Sequence, residues 1–437
     1  MSESKSYIII PGCSDLNRGD QALVWESIRL FKESGHDGKF LLMSEKNEPV
    51  KQSMAHGLGV VTPVLEHPSR KFRNKNNLEY TRWLKIKWGL VSIFDFTRSL
   101  LLLSRYSRWI GRVMTSKDAK VSLEAFTQTT AVIVKGGGFI HAYGGLTASY
   151  YIYFSLFHVF LAQSLGKKVY IMPNSMGPFE GPIVKWMVKR AFKGSLMVLA
   201  RESYSSKMVN RQLGIDVGIM PDLAFYLENG KVNKEDFMEK YSLPFDRKLV
   251  AMTMRPHRFL RSSAPSKNYM QFKKSMAEMV KWLYANGYMP VLVEHVLAVN
   301  YNESDWECIK EVEKYLQKGE YRVLSNREYT CYELKTIYSF FDYIIGTRFH
   351  SMIFSMANMV PGIAIAYTGN KGQGIMHDIG LDDYVISIDD VTGDELIKKF
   401  KQLIIENQIV KQKIVSYKNN LKKYRDEVLI LMQSFEK

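Results

Sequence analysis

The sequence predicts an α/β protein made of two doubly wound domains that face one another, and three observations carry this. Its 437 residues exceed what one ordinary core holds. Short β-rich runs alternate with amphipathic helices along nearly the whole chain, the rhythm of parallel sheets covered on both faces. The rhythm lapses around residues 228–247, beginning with the polar, turn-rich Glu228-Asn-Gly-Lys-Val-Asn-Lys-Glu-Asp236. That lapse separates a domain over 1–230 from one over 245–400, with amphipathic, Lys-rich helices over 401–437.

The elements follow in order. Tyr7–Ile10 reads as the first strand, followed by a helix near Asp20–Lys32 and a strand over Phe40–Met43. A basic insertion occupies about 65–120. Then come Ala131–Val134, a triple-glycine turn, a helix near 147–165 and the strand Lys168–Met172. A helix near 182–192, the strand Leu196–Ala200 and a helix near 203–213 complete the first half. The second half repeats the pattern in the strands Leu249–Met254, Met289–Glu294, Arg322–Leu324, Tyr343–Ile345 and Ile363–Tyr367. Its helices are expected near 268–285, 303–316, 331–340 and 348–358.

Composition narrows the class. Apolar residues make up 46% and charged residues 24%, as in a folded globular protein. Tyr7-Ile-Ile-Ile10 ahead of Pro11-Gly12 is far too short for a signal-peptide core. Cys13, Cys308 and Cys331 are scattered, odd in number and without CxxC spacing, which argues against a disulfide framework and a zinc site. No metal is expected, and the compartment expected is the cytoplasm. Between Lys135 and Lys167 no residue is Asp, Glu, Lys or Arg. The strongly apolar part still falls short of the roughly 20 residues of a membrane span, so a buried helix is expected. The net charge of +16 is uneven: Arg70 to Arg112 holds eleven basic residues against Glu79 and Asp95, interleaved with Trp83, Trp88, Phe94, Phe96 and Trp109. Two readings stay open, an anionic membrane surface met peripherally or a solvated helical insertion with its aromatics packed inward. No nucleic-acid motif accompanies the charge, and no nucleic acid is expected as a partner.

In open parallel sheets ligands bind where strands end and helices begin, so the strand-end loops hold the candidate residues. Asn17-Arg-Gly-Asp20 closes the first loop, and Asp20 alone would be an ordinary helix cap. In Lys135-Gly-Gly-Gly138 the glycines, Gly137 and Gly138 among them, either bring backbone amides to a ligand or form a tight turn. Asn174-Ser-Met-Gly177 ends the next strand. Arg201, at the end of an apolar strand, is either paired with Glu202 or Asp222 or offered to an anion, for which its planar fork is suited. The strongest signal is Gly346-Thr-Arg348-Phe-His350, with Thr347 as N-cap and Arg348 and His350 in the first helical turn. Amides and dipole there favour an anion, and a histidine can move a proton near neutral pH. Lys371 follows in a glycine-rich loop. Arg255 with His257, and Glu294 with His295, are further strand-end candidates, each with a structural alternative.

Read in order, these loops resemble the polysaccharide pyruvyl transferase family. The shared pattern is Asn17, Gly19 and Asp20, Gly136–Gly138, Arg201-Glu-Ser203, Leu213-Gly214, Pro221-Asp222, and Arg348-x-His350 with Pro361 and Tyr367-x-x-x-Lys371. The resemblance implies two Rossmann-like domains facing across a cleft, a glycosyltransferase-B-like arrangement. It also implies phosphoenolpyruvate as co-substrate, no further cofactor, and a pyruvate ketal on a sugar of a cell-surface glycan as product. Carried over by motif, Arg201, Arg348 and His350 are the catalytic candidates. Donor binding falls to Arg201, Arg348, His350, Lys371, Arg255 and His295. Acceptor binding falls to Asn17, Asp20, Gly137 and Gly138 on the opposite domain. Phe139-Ile-His141 is bulkier than the family pattern, and the basic insertion fits a lipid-linked acceptor met at the inner membrane face. Two competing readings remain: a nucleotide-sugar glycosyltransferase of the same fold, and a non-catalytic membrane-surface or glycan-binding protein.

Overall fold

The computed structural model describes residues 5–66, 81–145, 147–259, 262–298, 303–367 and 369–435. Its contacts divide the chain into two units. The first comprises Met1–Asp15, Leu23–Leu223 and Lys423–Lys437, and the second Leu16–Ala22 and Ala224–Lys422. The short segment Leu16–Ala22, expected with the N-terminal half, thus belongs to the second unit.

The first part of the chain runs β1 (Ser6–Ile10), α1 (Arg18–Glu33), β2 (Lys39–Met43), α2 (Lys51–Ala55), β3 (Gly59–Val61), α3 (Arg82–Leu103), α4 (Arg108–Val113) and α5 (Lys117–Gln128). It continues through β4 (Ala131–Val134), β5 (Gly137–Tyr143), α6 (Ala148–Ser164), β6 (Lys168–Glu180), α7 (Val184–Lys193), β7 (Met197–Ala200), α8 (Ser203–Leu213) and β8 (Gly218–Ile219). The strands form a sheet in the order β3-β2-β1-β4-β6-β7-β8, with β5 beside β6. Every pairing in it is parallel. Ala131-Val-Ile-Val134 is buried at every position, as a strand covered on both faces must be. The helices that cover it are one-sided. In α7 the buried residues are Val184, Met187, Val188, Ala191 and Phe192, a helical stripe. The stretch without charges forms α6, whose Ile152, Leu156, Phe157 and Leu161 are fully buried, and no helix among the described residues is long and apolar enough to cross a membrane.

The later part of the chain runs α9 (Lys234–Lys240), β9 (Lys248–Thr253), α10 (Pro265–Ala285), β10 (Tyr288–Glu294), α11 (Asp305–Glu313), β11 (Arg322–Ser325) and α12 (Cys331–Tyr338). It continues through β12 (Tyr343–Gly346), α13 (Phe349–Ala357), β13 (Gly362–Ala366), α14 (Gly369–Ile379), β14 (Val385–Ser387), α15 (Gly393–Ile405) and α16 (Asn407–Ser434). The sheet order β11-β10-β9-β12-β13-β14 is again parallel throughout. From β9 the chain winds outward one way, and from β12 the other, so a crevice opens beyond the carboxyl ends of these two strands. Local chemistry sets the helix ends. Pro265 opens α10, and a reciprocal capping box of Thr330 and Glu333 opens α12.

Three expectations are corrected. The triple glycine does not turn into a helix: Gly137 and Gly138 open β5, which pairs in parallel with β6 and fixes Gly137 opposite Asn174. The strand expected to stop at Met172 runs on to Glu180, so Asn174-Ser-Met-Gly177 lies within β6 rather than in a loop. Thr347 is not the cap of α13. Its hydroxyl donates to the Thr253 carbonyl, and Arg348 takes the N-cap position without a side-chain cap bond.

Candidate functional site

The strand ends of the second unit gather the charged residues. Arg348, at the β12–α13 junction, is buried, and its guanidinium binds Asp305 at 2.7 Å and the Glu303 carbonyl. Asp305, the first residue of α11, also accepts from the amides of His295 and Val296 at 3.1 and 2.9 Å. Burial works against the charge on Arg348, but Asp305, with Tyr367 and Glu303, more than offsets this and raises its pKa. This arginine stays a guanidinium at any working pH.

Beside it, at the end of β10, lie Glu294 and His295. Burial pushes the Glu294 carboxyl up, although Ser325, which donates to it at 2.6 Å, and Arg327 and Arg18 oppose the shift. His295 is completely enclosed. Burial, then the charges of His350, Arg348 and Arg18, press its pKa well down, with Asp20 acting the other way. The ring is therefore neutral near pH 7. Its Nδ1 faces the Tyr338 hydroxyl at 3.2 Å, and its Nε2 has no hydrogen-bond partner among the described residues. His350, Arg348, Arg18 and Asp20 all act on His295 and so share its neighbourhood.

The segment Leu16–Ala22 enters this neighbourhood as part of the same unit. Asn17 accepts from the amides of Gly19 and Asp20 and donates to the Asp20 carboxylate at 3.2 Å, and so opens α1. The capping role considered for Asp20 is thus played by Asn17. An isolated bridge joins Asn17 to Val296, the Leu297 amide donates to the Leu16 carbonyl, and Gln21 accepts from the Cys331 amide. Arg18 is buried and donates to the Asn326 carbonyl at 3.1 Å. A Cβ on Gly19 would stand 2.1 Å from Nδ1 of His350, so the half-buried imidazole lies directly against the α1 backbone. Asn17 and Asp20, expected opposite the donor residues on another domain, are therefore in the same unit as His350.

Arg255 joins this neighbourhood through its effect on the Asp305 carboxyl. Arg255, just past β9, holds its guanidinium 4.2 Å from the Tyr367 ring centre. Neighbouring His257 is pushed down to about 4 by burial and by Arg255. Lys371 lies in the first turn of α14, and its side chain is outside the described residues. In the first unit, Arg201 is buried at the end of β7 and gives Nε to Ser175 at 2.7 Å and a terminal nitrogen to Asp222 at 2.8 Å. Of the alternatives open for Arg201, this is the carboxylate pair. Gly137 and Gly138 are buried in β5, while Asn174 donates to the carbonyls of Lys135 and Met172. Among the described residues no group of three or more His, Cys, Asp or Glu side chains is placed to hold a metal ion.

Three members of the cluster escaped sequence reasoning. Arg18 stands inside the Asn17-x-Gly-Asp20 signature, and that was the signal available for it. Asp305 and Asn326 carry none, since each serves through a partner distant in sequence. What the assembled cluster offers chemically is two buried guanidiniums, Arg348 paired with Asp305 and Arg18 on the Asn326 carbonyl, the carboxyl groups of Asp20 and Glu294, one neutral buried imidazole and one half-buried imidazole at the start of a nine-residue helix. Within it, the amides at that helix start and the guanidiniums are the groups suited to an anion.

Known proteins agree with this frame. The sequence matches the polysaccharide pyruvyl transferase family over residues 17–369. It is 24% identical over 308 residues to the amylovoran biosynthesis protein AmsJ of Erwinia amylovora, covering 67% of this chain and 70% of that protein. Among solved structures, a glycosyltransferase from Rickettsia africae superposes with a TM-score of 0.54 at 11% identity, covering 100% of this chain and 98% of that one. A UDP-GlcNAc 2-epimerase from Neisseria meningitidis, solved with UDP-GlcNAc, gives 0.52 at 11% identity over 98% and 100% of the two chains. At these identities the structures speak for the fold alone, two parallel-sheet α/β units of the glycosyltransferase-B kind. Sequence match and strand-end residues together lead to one conclusion: this chain belongs to the polysaccharide pyruvyl transferase family.

Proposed function

We propose that the protein transfers pyruvate from phosphoenolpyruvate to a sugar of a cell-surface or exopolysaccharide glycan, closing a ketal on two hydroxyls. The observation that carries this is the family match over residues 17–369. The relative in amylovoran biosynthesis and the cations around His295 and His350 support it. Phosphoenolpyruvate brings a carboxylate and a phosphate into a small volume, so its pocket needs several cations at fixed geometry. Arg348 and Arg18 are buried and held by Asp305 and the Asn326 carbonyl, which gives them that rigidity. Arg255 stands at the end of the adjacent strand.

In this scheme His350 gives its proton to the donor's methylene carbon while a sugar hydroxyl adds to the neighbouring carbon, and that hydroxyl's proton restores the imidazolium. A second hydroxyl then displaces phosphate, which leaves with the second hydroxyl's proton as the ketal closes. Asn17 and Asp20, in the same unit as His350, orient the acceptor. His295 is neutral and enclosed and serves as a hydrogen-bonding wall rather than as a charge.

The test is incubation with phosphoenolpyruvate and a panel of galactosides, mannosides and glucosides, following phosphate release, with UDP-sugars as control donors. One acceptor should release phosphate, and His350→Gln should slow that release by roughly 100- to 10,000-fold. Near-normal turnover in His350→Gln would remove the proton-donor role. Consumption of a UDP-sugar with no phosphate from phosphoenolpyruvate would replace the whole assignment by that of a glycosyltransferase.

A further inference from the structure

A water-facing surface helix normally hides apolar residues and shows polar ones. Helix α3 does the reverse. Its buried positions include Asp95, Arg98 and Ser99, with Asp95 and Arg98 in an ion pair at 3.1 Å. Arg98 also donates to the Val64 carbonyl, and Ser99 lies 2.7 Å from the Tyr153 hydroxyl of α6. Its opposite face presents Trp83, Ile86, Leu90, Ile93 and Leu100, spaced by three, four, three and seven residues. Trp83 is 76% exposed, and Leu90 and Ile93 are each 67% exposed. The apolar surface continues through Phe94 and on to α4, where Trp109 is 68% exposed, and a shallow hollow lies between Leu90, Phe94 and Met114. So much contiguous apolar surface marks a binding face.

Charge identifies the partner. Arg82, Lys87 and Arg105 are exposed along the same segment, Arg112 is exposed but paired with Glu124 at 3.2 Å, and Arg108 is half-buried. From residue 81 to 114 the sole acidic residue is Asp95, which is buried and paired. A second copy of this face would bring like charges together, whereas an anionic lipid surface neutralises them. Trp and Tyr suit the headgroup layer, where one side of the ring is apolar and the other wet. At 22 residues α3 is about 33 Å long, but among the described residues no helix is long and apolar enough to cross a membrane.

We propose that the outward face of α3 and α4 seats this protein on an anionic bilayer, with Leu90 and Ile93 among the acyl chains, Trp83 and Trp109 in the headgroup layer and the arginines and lysines at the phosphates. The face lies wholly in the first unit and owes nothing to the donor chemistry proposed above. Vesicles of phosphatidylcholine with and without phosphatidylglycerol supply the test, by sedimentation at low and high salt. The protein should sediment with the phosphatidylglycerol vesicles and come off as salt rises.

The combined variant Trp83→Ser, Leu90→Ser, Ile93→Ser and Trp109→Ser should lose at least about tenfold in partitioning. Arg82→Gln, Lys87→Gln and Arg105→Gln together should lose about fivefold per charge on anionic vesicles only. Because these side chains are exposed, melting temperature and phosphate release should match the parent protein, which separates lost docking from lost folding. The proposal falls if the parent protein ignores vesicles or if the apolar variant binds them unchanged. It falls equally if light scattering shows a dimer that this variant abolishes, which would give the face to a second copy. Capture by a soluble anionic polysaccharide as tight as by vesicles would give it to a glycan instead.

Discussion

The absence of a side chain at Gly19 is what lets the His350 ring lie against the first turn of α1. Adding one methyl there drives it into Nδ1, Cγ and Cβ of the imidazole, all under 3 Å from the new atom. Gly19→Ala should therefore destabilise the protein by about 1–3 kcal/mol through overpacking, measurable as a lower urea midpoint. In a His350→Ala background the same change should cost distinctly less, because the obstructing ring is gone. Asn17, Asp20, Arg348 and His350 were legible at this scale, since polar residues entering helices after apolar strands betray themselves locally. Arg18 was not, because what holds it is a carbonyl 308 positions further along the chain.

Among the elements, those with both ends punctuated were the easiest to foresee. The strand expected over Ala131–Val134 and the helix expected near 203–213 match β4 and α8 almost residue for residue. What went astray was β5, since three glycines signal a turn, and only its pairing with β6 makes that stretch a strand. Arg201 belongs here too, because β7 delivers its side chain to Asp222 in the loop after β8. Both partners are buried, so removing one strands a charge in the core. Asp222→Asn should cost about 3–5 kcal/mol of stability, while a paired replacement, Arg201→Met with Asp222→Leu, should cost less than the single change. Denaturation midpoints of the three proteins check the order.

At the scale of the molecule, the enclosed imidazoles of His158 and His295 tie stability to pH. His158 accepts from the Val64 amide, and burial pushes its pKa down to about 3; His295 is pressed down as well. An imidazole that titrates lower when folded binds fewer protons than the unfolded chain below the ordinary value of 6.5. Its stabilising effect is complete above that value and declines as pH falls toward the folded pKa. For His158 the loss should reach several kcal/mol, to order of magnitude, and His295 acts in the same direction. Thermal midpoints should thus drop between about pH 6.5 and pH 4, and His158→Asn should flatten that acid limb. The twofold division of the chain was legible in its broken rhythm at 228–247, yet the contacts divide it at Leu223 and Ala224. Nothing local in the sequence could have announced that Leu16–Ala22 joins the later unit, or Lys423–Lys437 the earlier one.

The membership of Leu16–Ala22 restricts how this protein can be taken apart. A fragment expressed from Ala224 onward would lack Arg18 behind Asn326, Gln21 at the start of α12, and Leu16 beside Leu297. Its loop amides would meet water where the native chain gives them partners. A contiguous stretch of gene therefore does not encode the complete second unit, and a faithful excision would have to graft the seven-residue piece back on.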